Sequence, residues 1–279
     1  MEDLLAKTRE ICRLFEIKPK RQKGQNFLIN EKIYDDIIKA AALTKEETVL
    51  EVGPGLGFLT AKLAAVAKRV IAVELDKQLA DYLQIGINAL DIENIEVIQA
   101  DVLKFNPAKL GDGQYKIVAN LPYNISSIFL RQFLSHPPRP TSLILMLQKE
   151  VAQRIVALPP EMSILAVSVQ YYAEAEIVRE VKAGNFWPEP KVDSAIIKIT
   201  VKQSKFSPEI DKKFFQMVRI GFSAKRKMLK NNLAGGLHLE PAIVKTALAQ
   251  SGFDERIRAE DLSVEDWQKL FAALTPFVV

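Results

Sequence analysis

Cysteine is nearly missing from this 279-residue chain, which carries Cys12 alone. An internal disulfide is therefore excluded, and a reducing cytoplasm is the simplest expectation for its setting. Histidine is almost as scarce: His136 and His238 stand far apart, and one precedes Pro137. No His/Cys spacing of the metal-binding or thiol-nucleophile kind occurs, so no metal is expected. Apolar runs stay well below the ~18 residues of a membrane helix, so no membrane partner is expected. Met1-Glu2-Asp3-Leu4 puts acids where a secretory signal needs positive charge followed by an apolar stretch. Repeats and low-complexity tracts are also lacking. What remains is a globular composition, 48% hydrophobic and 26% charged, with enough apolar material for one large domain or two smaller ones.

The net charge of +4 conceals an uneven distribution. Residues 1–32 carry eight basic and five acidic groups, and residues 198–232 carry ten and two. The long segment between them, 33–197, is net acidic, and so is 233–279. Two short clusters supply the excess: Lys18, Lys20, Arg21 and Lys23, then Lys225, Arg226, Lys227 and Lys230. Either alone is compatible with a solvated face; two that flank a neutral-to-acidic body point to a polyanionic partner.

Hydrophobic periodicity sets out the architecture. Apolar spacing in Leu4, Leu5, Ile11 and Leu14 predicts a short amphipathic helix, and Asn30 is a good N-cap for a helix carrying Ile33, Ile37 and Ile38. Strands are then expected over 48–52, 69–74, 95–100, 115–119 and 142–147, alternating with helices over 58–68, 76–88, 126–134 and 149–157. Such alternation predicts a mostly parallel, doubly wound α/β sheet. A helix over 163–172 and strands over 176–181 and 194–201 complete seven strands, the last two as an antiparallel edge. Beyond Ser207 the pattern is helical only: 208–220, 226–234, 241–250 and 263–274. The boundary is therefore placed near Lys205, with a sheet domain over 1–205 and a small all-α domain over 206–279 that opens with most of the basic segment.

Glu51-Val52-Gly53-Pro54-Gly55-Leu56-Gly57 falls between the first strand and its helix. Glycines there permit a sharp turn and close approach of backbone to a nucleotide. The spacing differs from the G-x-G-x-x-G of NAD enzymes, and no phosphate-binding lysine follows, which argues against NAD and against ATP hydrolysis. Glu74 ends the second strand, where an acid can accept from ribose hydroxyls, and Asp101 follows the third, within reach of an adenine. An acidic pocket repels phosphates and suits a nucleoside cofactor of positive charge, such as S-adenosylmethionine. After the fourth strand comes Asn120-Leu121-Pro122-Tyr123. Pro122 stiffens the turn, so the Asn120 side chain and the Leu121 carbonyl are expected to face outward as paired acceptors for an exocyclic amine, with Tyr123 stacking on its ring.

With these residues the chain resembles the ribosomal RNA adenine N6,N6-dimethyltransferase family. The likeness rests on Gly24-Gln25-Asn26-Phe27-Leu28, the 51–57 turn, Glu74-Leu75-Asp76, Ala100-Asp101-Val102-Leu103, Asn120-Leu121-Pro122-Tyr123-Asn124-Ile125-Ser126 and Gln148-Lys149-Glu150-Val151-Ala152. Phe186-Trp187-Pro188-Glu189-Pro190-Lys191-Val192-Asp193-Ser194 and Asn231-Asn232-Leu233 extend it through nearly the whole chain. The resemblance implies a Rossmann-like methyltransferase fold with a small C-terminal helical domain for RNA. It implies S-adenosylmethionine-dependent dimethylation of adjacent adenines near the 3′ end of small-subunit (16S) rRNA, by a cytoplasmic monomer that meets the immature small ribosomal subunit and serves its biogenesis. Asn26, Leu28, Gly53, Gly55, Glu74, Asp101 and Asn120 would hold the cofactor. Asn120, Leu121 and Tyr123 would hold the target adenine, with Phe186 on its other face. Lys20, Arg21, Lys23, Lys225, Arg226, Lys227 and Lys230 would contact RNA. The chain departs from the family at Pro159-Pro160-Glu161-Met162, where relatives carry Tyr-Gly, and at Ala224, where they carry Gln or Arg. Two other readings remain open: a large-subunit rRNA methyltransferase of the antibiotic-resistance type, and a non-catalytic ribosome-assembly or transcription factor.

Overall fold

The computed structural model describes residues 3–20, 24–110, 114–122, 125–202, 207–224 and 226–277. Contacts divide the chain into two units, 1–152 with 173–202, and 153–172 with 203–279.

The first unit begins with α1 (Leu4–Leu14), β1 (Phe27–Leu28) and α2 (Glu31–Ala41), then alternates β2 (Thr48–Val52), α3 (Phe58–Val66), β3 (Arg69–Glu74), α4 (Lys77–Ala89), β4 (Ile95–Gln99), β5 (Tyr115–Asn120), α5 (Ser126–Ser135) and β6 (Ser142–Gln148). Next in the chain come α6 (Lys149–Ile155), which leads into the second unit, and α7 (Ile164–Gln170), which lies within it. β7 (Ala173–Val181), β8 (Phe186–Trp187) and β9 (Ser194–Val201) return to the first. Seven strands form one sheet in the order β4-β3-β2-β5-β6-β9-β7. The five strands from β4 to β6 run parallel, as the alternation predicts. β9 lies antiparallel between β6 and β7, so β7, the true edge, runs parallel to the first five; only one strand of the expected antiparallel pair is reversed. The edge is blunted by a register shift between Ile177 and Arg179 and by Glu174, Glu176, Arg179 and Glu180.

The central strands β2, β3, β5 and β6 are apolar along nearly their whole length because helices cover both faces. On one face Ile33, Tyr34 and Ile37 of α2 and Leu59 and Leu63 of α3 meet Val49, Val70, Val118 and Ile144. Local chemistry starts the helices where the sequence predicts: Asn30 accepts from the Lys32 N–H and Asp76 from the Gln78 N–H. A second, two-stranded sheet is less obvious. Phe27 pairs with Trp187 and Leu28 with Phe186, which pins the segment after the first basic cluster to a stretch far along the chain.

The second unit contains α7, α8 (Pro208–Gly221), α9 (Leu229–Leu237), α10 (Pro241–Gln250) and α11 (Val264–Leu274). It takes in more chain than a single boundary near Lys205 allows. Tyr171 and Tyr172 at the end of α7 both donate to the buried Asp211 carboxylate of α8, at 3.0 and 2.9 Å, and Tyr171 stacks on Phe214. α9 begins three residues later than the expected 226, because Met228 takes the extended cap position and Arg226 and Lys227 stay on the exposed turn before it. Trp267 of α11 fills the centre against Phe222. Gly221 is required there, since a Cβ would lie 2.3 Å from the Trp267 ring. Among the described residues no helix is long and apolar enough to cross a membrane, and no group of side chains could hold a metal ion.

Candidate active site

A cavity of about 250 Å³ opens at the carboxyl ends of β2, β3, β4 and β5, where ligands bind in sheets of this kind. Its floor is the turn after β2. Gly53, Gly55 and Gly57 all have positive φ, at 69°, 57° and 78°. Gly55 must also lie close to another group: a Cβ would sit 3.3 Å from the Phe27 ring. Gly57 caps α3 in the left-handed region, and a Cβ there would press Leu83 at 2.6 Å.

Glu74 braces this turn. One carboxylate oxygen accepts from the Gly55 N–H at 3.2 Å and the other from the Asp76 N–H at 2.9 Å. Burial pushes its pKa upward, the charge of Asp76 adds to the shift, and backbone donors, those of Asp76 and Gly55 foremost, oppose it without cancelling it. Asp76 caps α4 with one oxygen and binds the Lys20 ammonium with the other, at 2.9 Å. Lys20, expected on RNA, therefore lies at the pocket, with half its side chain exposed. Asp101 lines the cavity and caps the short turn Val102–Lys104 through the Leu103 N–H.

A further part of the wall is the segment after the first basic cluster. Asn26 and Leu28 line the cavity, and Leu28 is fixed by its carbonyl, which accepts from the Tyr34 hydroxyl at 2.9 Å. Asn120, at the end of β5, donates its amide N–H to the Asn26 carbonyl at 3.4 Å. That orientation leaves its side-chain oxygen as an acceptor. Leu121 buries its side chain and takes the Met146 carbonyl with its N–H, while Asn120 and Pro122 line the cavity on either side of it. Tyr123 lies outside the described residues, as do Arg21, Lys23 and Lys225.

Phe186 departs from expectation. It is 3% exposed, packs in the core with Leu28 and Tyr34, and is not part of the cavity wall. Its register pairing with Leu28 turns the ring inward, where it supports the cofactor-side segment from behind instead of offering a face to a base.

Two features are unannounced by the sequence motifs. Glu51 enters the sequence reading only as the first residue of the glycine-turn motif. In the structure it is a cavity wall residue of 1% exposure, with its carboxyl pushed up to about 8 by burial and by the charge of Glu74. Thr60 lies beside it and eases the shift, but not in hydrogen-bonding geometry. The second is Asn232, whose buried amide donates to the Gly221 and Ala224 carbonyls at 2.6 and 3.2 Å. It clamps the turn that carries Arg226 and Lys227, which are exposed. Lys230 differs from those two: its side chain is 15% exposed and paired with Glu255 at 2.9 Å.

The cavity wall fits a cationic nucleoside. Among the described residues it contains Glu51, Glu74, Asp76 and Asp101 and no lysine, arginine or histidine. Nothing there would neutralise a phosphate, whereas a sulfonium or ammonium would be welcome.

Comparison with known proteins agrees with this chemistry. The family model for ribosomal RNA adenine dimethylase matches residues 17–275. A ribosomal RNA small subunit methyltransferase A of Dehalococcoides mccartyi is 42% identical over 272 residues, covering 96% of this chain and 92% of that protein. Among solved structures, a dimethyladenosine transferase from Plasmodium falciparum aligns with a TM-score of 0.75 at 28% identity, over 90% of this chain and 98% of that one. A 23S rRNA methyltransferase, ErmE, aligns with a TM-score of 0.74 at 28% identity, over 90% of this chain and 100% of that one. The chain belongs to the ribosomal RNA adenine dimethylase family and is an rRNA adenine methyltransferase with S-adenosylmethionine as its cofactor.

Proposed function

We propose that this enzyme dimethylates N6 of adjacent adenines near the 3′ end of small-subunit rRNA, acting in the cytoplasm as a monomer on the immature small subunit. The single observation that carries the chemistry is the acid-walled cavity at the strand ends with Asn120 and Pro122 at its margin. Fold likeness does not choose the subunit, since the dimethyladenosine transferase and the 23S enzyme align equally well. The choice rests on sequence: relatives at 39–42% identity carry the name ribosomal RNA small subunit methyltransferase A.

When bound, S-adenosylmethionine supplies a methyl group made electrophilic by its sulfonium. The protein holds it through Glu74 on the ribose, Asp101 toward the adenine, and Asn26, Leu28, Gly53 and Gly55 around the remainder. The incoming adenine amine is a weak nucleophile because its lone pair is delocalised into the ring. Asn120 Oδ1 and the Leu121 carbonyl accept from its hydrogens. These contacts strengthen as the nitrogen becomes tetrahedral, so they favour the transition state over the planar ground state. No strong base is required, and alignment supplies much of the rate. Tyr123 stacks on the base once it leaves its own stack. Arg226 and Lys227, together with Lys20, Arg21, Lys23 and Lys225, bind RNA phosphates; Lys230 serves through its pairing with Glu255.

Methylation of isolated small and large ribosomal subunits, read by mass spectrometry of the rRNA, tests the reading. Two adjacent dimethyladenines in small-subunit rRNA support it. Methylation confined to large-subunit rRNA, or none on either, refutes it.

A further inference from the structure

A second depression opens beside the cofactor cavity. Among the described residues the two share Leu75 and Asp76 and no others. It measures about 630 Å³, within the range of ligand clefts, and follows α4 from Lys77 to Ile85, a helical length of about 12 Å. Its floor is apolar and open to water: Phe15 is 40% exposed, Leu75 56% and Ile85 57%. Large side chains gathered in this way on one stretch of surface mark a binding face. The floor is also held in place. The Phe15 carbonyl accepts from the Gln78 side-chain amide at 2.9 Å, and the Phe15 ring meets Tyr82 edge to face, with centroids 4.7 Å apart.

The charges at the rim balance. Lys20 pairs with Asp76 at 2.9 Å and Lys77 with Asp81 at 2.6 Å. Two cations against two acids leave the groove itself without net charge, so a phosphate gains little inside it. What fits is a flat, uncharged group with apolar faces and a polar edge. Gln99 offers that edge a contact, since its exposed amide touches the Leu75 carbonyl only at 3.5 Å. A nucleobase has this chemistry. Position selects its source. β3 and β5 flank β2, so Leu75 and Asn120 stand two strand spacings apart, roughly 10 Å. A nucleotide strand covers that in about three nucleotides at the stacked rise of about 3.4 Å, and in fewer when unstacked. We propose that this groove receives one unstacked base of the substrate RNA, from a nucleotide close to the target adenine. Phe15, Leu75 and Ile85 replace the stacking which that base gives up. The inference rests on rRNA as the substrate, not on the choice of subunit. Its consequence is an anchor independent of phosphate charge, and a strand already unstacked next to the adenine that must be extruded.

Fluorescence anisotropy of the full chain with short target RNAs tests this. One fragment comes from the small subunit and one from the large, each intact or with a single abasic nucleotide at successive positions around the target adenines. On the fragment that the wild type binds, one abasic position beside the target is expected to weaken binding by ~5–50-fold. Phe15→Ala and Ile85→Ala are expected to weaken the intact RNA by a similar factor with an unchanged log–log salt slope, and to respond to that abasic position by less than about twofold. Ile85 is exposed on its helix, so its truncation leaves the core intact. Affinity for S-adenosylhomocysteine should stay within about twofold in both variants. Wild-type affinity for intact RNA in both variants overturns the proposal, and so does an abasic penalty as large in the variants as in the wild type. A changed salt slope would make the groove a phosphate site and overturn it. Weakened binding to assembled subunits with unaltered binding to RNA alone would give the groove to a ribosomal protein and overturn it too. A wild type that binds only the large-subunit fragment refutes the small-subunit reading alone, because the same abasic scan then judges the groove on that fragment.

Discussion

Glu74→Ala isolates the strongest polar anchor in the cavity. A carboxylate offers about four acceptor positions, and the Gly55 and Asp76 N–H groups occupy two of them, one on each oxygen. Two positions remain for ribose hydroxyls. A hydrogen bond to a charged acceptor is worth ~1.5–3 kcal/mol, but truncation also frees the two backbone donors to bind water, which recovers part of the loss. The expected net loss is ~1–3 kcal/mol, or about 5- to 150-fold in Kd for S-adenosylmethionine. Glu74→Gln should fall between wild type and Ala. Its amide keeps one oxygen, but its NH₂ cannot accept from whichever of the two N–H groups it faces, so one side of the Gly55 turn loosens. Lys20→Ala is the control. It removes the partner of Asp76, but half of the lysine is in solvent, and exposed ion pairs contribute only ~0–1 kcal/mol, so affinity should change by less than about fivefold. Calorimetry on variants with confirmed thermal transitions reads all three. Binding by Glu74→Ala within about twofold of wild type would remove Glu74 from the ribose and refute the reasoning.

The remaining predictions concern chemistry, RNA and stability. Asn120→Ala should lower kcat by about a hundredfold to a thousandfold, the cost of ~2–4 kcal/mol for removing one transition-state hydrogen bond, in single-turnover methylation at saturating cofactor. Tyr123→Ala should instead raise the KM for RNA by the ~1–3 kcal/mol of a missing base stack, while Tyr123→Phe stays near wild type. Replacing Arg226 and Lys227 by Gln should flatten the log–log salt dependence of RNA binding by roughly 0.7–0.9 for each phosphate no longer neutralised, and an unchanged slope would return them to a solvated surface. Asn232→Ala strips the buried Gly221 carbonyl and the half-buried Ala224 carbonyl of a donor and should lower unfolding stability by ~1–3 kcal/mol while weakening RNA binding; replacing Lys230, already paired with Glu255, by Gln should change the slope less than Arg226→Gln. Glu51 gives the cofactor-free protein a pH signature: its folded-state pKa is raised from the ordinary 4.5 to about 8, so its contribution is present below about pH 4.5 and is lost as pH climbs toward 8. The unfolding free energy, read from denaturant melts, should fall over that window by an amount on the order of a few kcal/mol, and Glu51→Gln should flatten the decline.

The strands were legible because burial on both faces makes β3 and β6 almost unbroken apolar runs, and the helix starts because Asn30 and Asp76 are caps whose chemistry is local. Local pattern does not encode register between distant segments. The pairing of Phe27–Leu28 with Phe186–Trp187 is of that kind, and it explains why an aromatic read as a base platform is a core residue. The insertion of β9 between β6 and β7 is another, since two strands joined by a loop look the same whichever of them takes the outer position. The assignment of α7 to the helical unit depends on two tyrosine hydroxyls finding Asp211, a contact invisible in periodicity. In the site, Gly53, Glu74, Asp101 and Asn120 were legible because turn chemistry and strand ends fix where they point. Glu51 was not, because its state depends on burial beneath elements distant in the chain and on the charge of Glu74.

The same distribution of charge sets a physical problem for an enzyme that must hold a cation and admit a polyanion. An acidic cavity repels the phosphates beside the target adenine, and a basic one would repel the cofactor. The pocket-bearing unit separates the two requirements over a short distance. Within the cavity, Glu51 and Glu74 are held toward the neutral form by burial, so the empty site presents less negative charge than its composition implies. At its margin Asp76 is the acid with a cationic partner, and that partner is Lys20, from the basic segment. Lys20 thus neutralises the acid beside Glu74 while keeping half its side chain in water. Lys20→Glu puts a second negative charge there and breaks the pair. RNA affinity should fall with Lys20→Glu by more than with Lys20→Ala, and the gap should narrow as salt rises and the Debye length shrinks from about 10 Å at 0.1 M to about 3 Å at 1 M. S-adenosylmethionine affinity measured in the same buffers should stay level or rise slightly, because the added charge attracts a cation. If both ligands weaken together, the substitution has disturbed the cavity itself and charge separation is not the function of this residue.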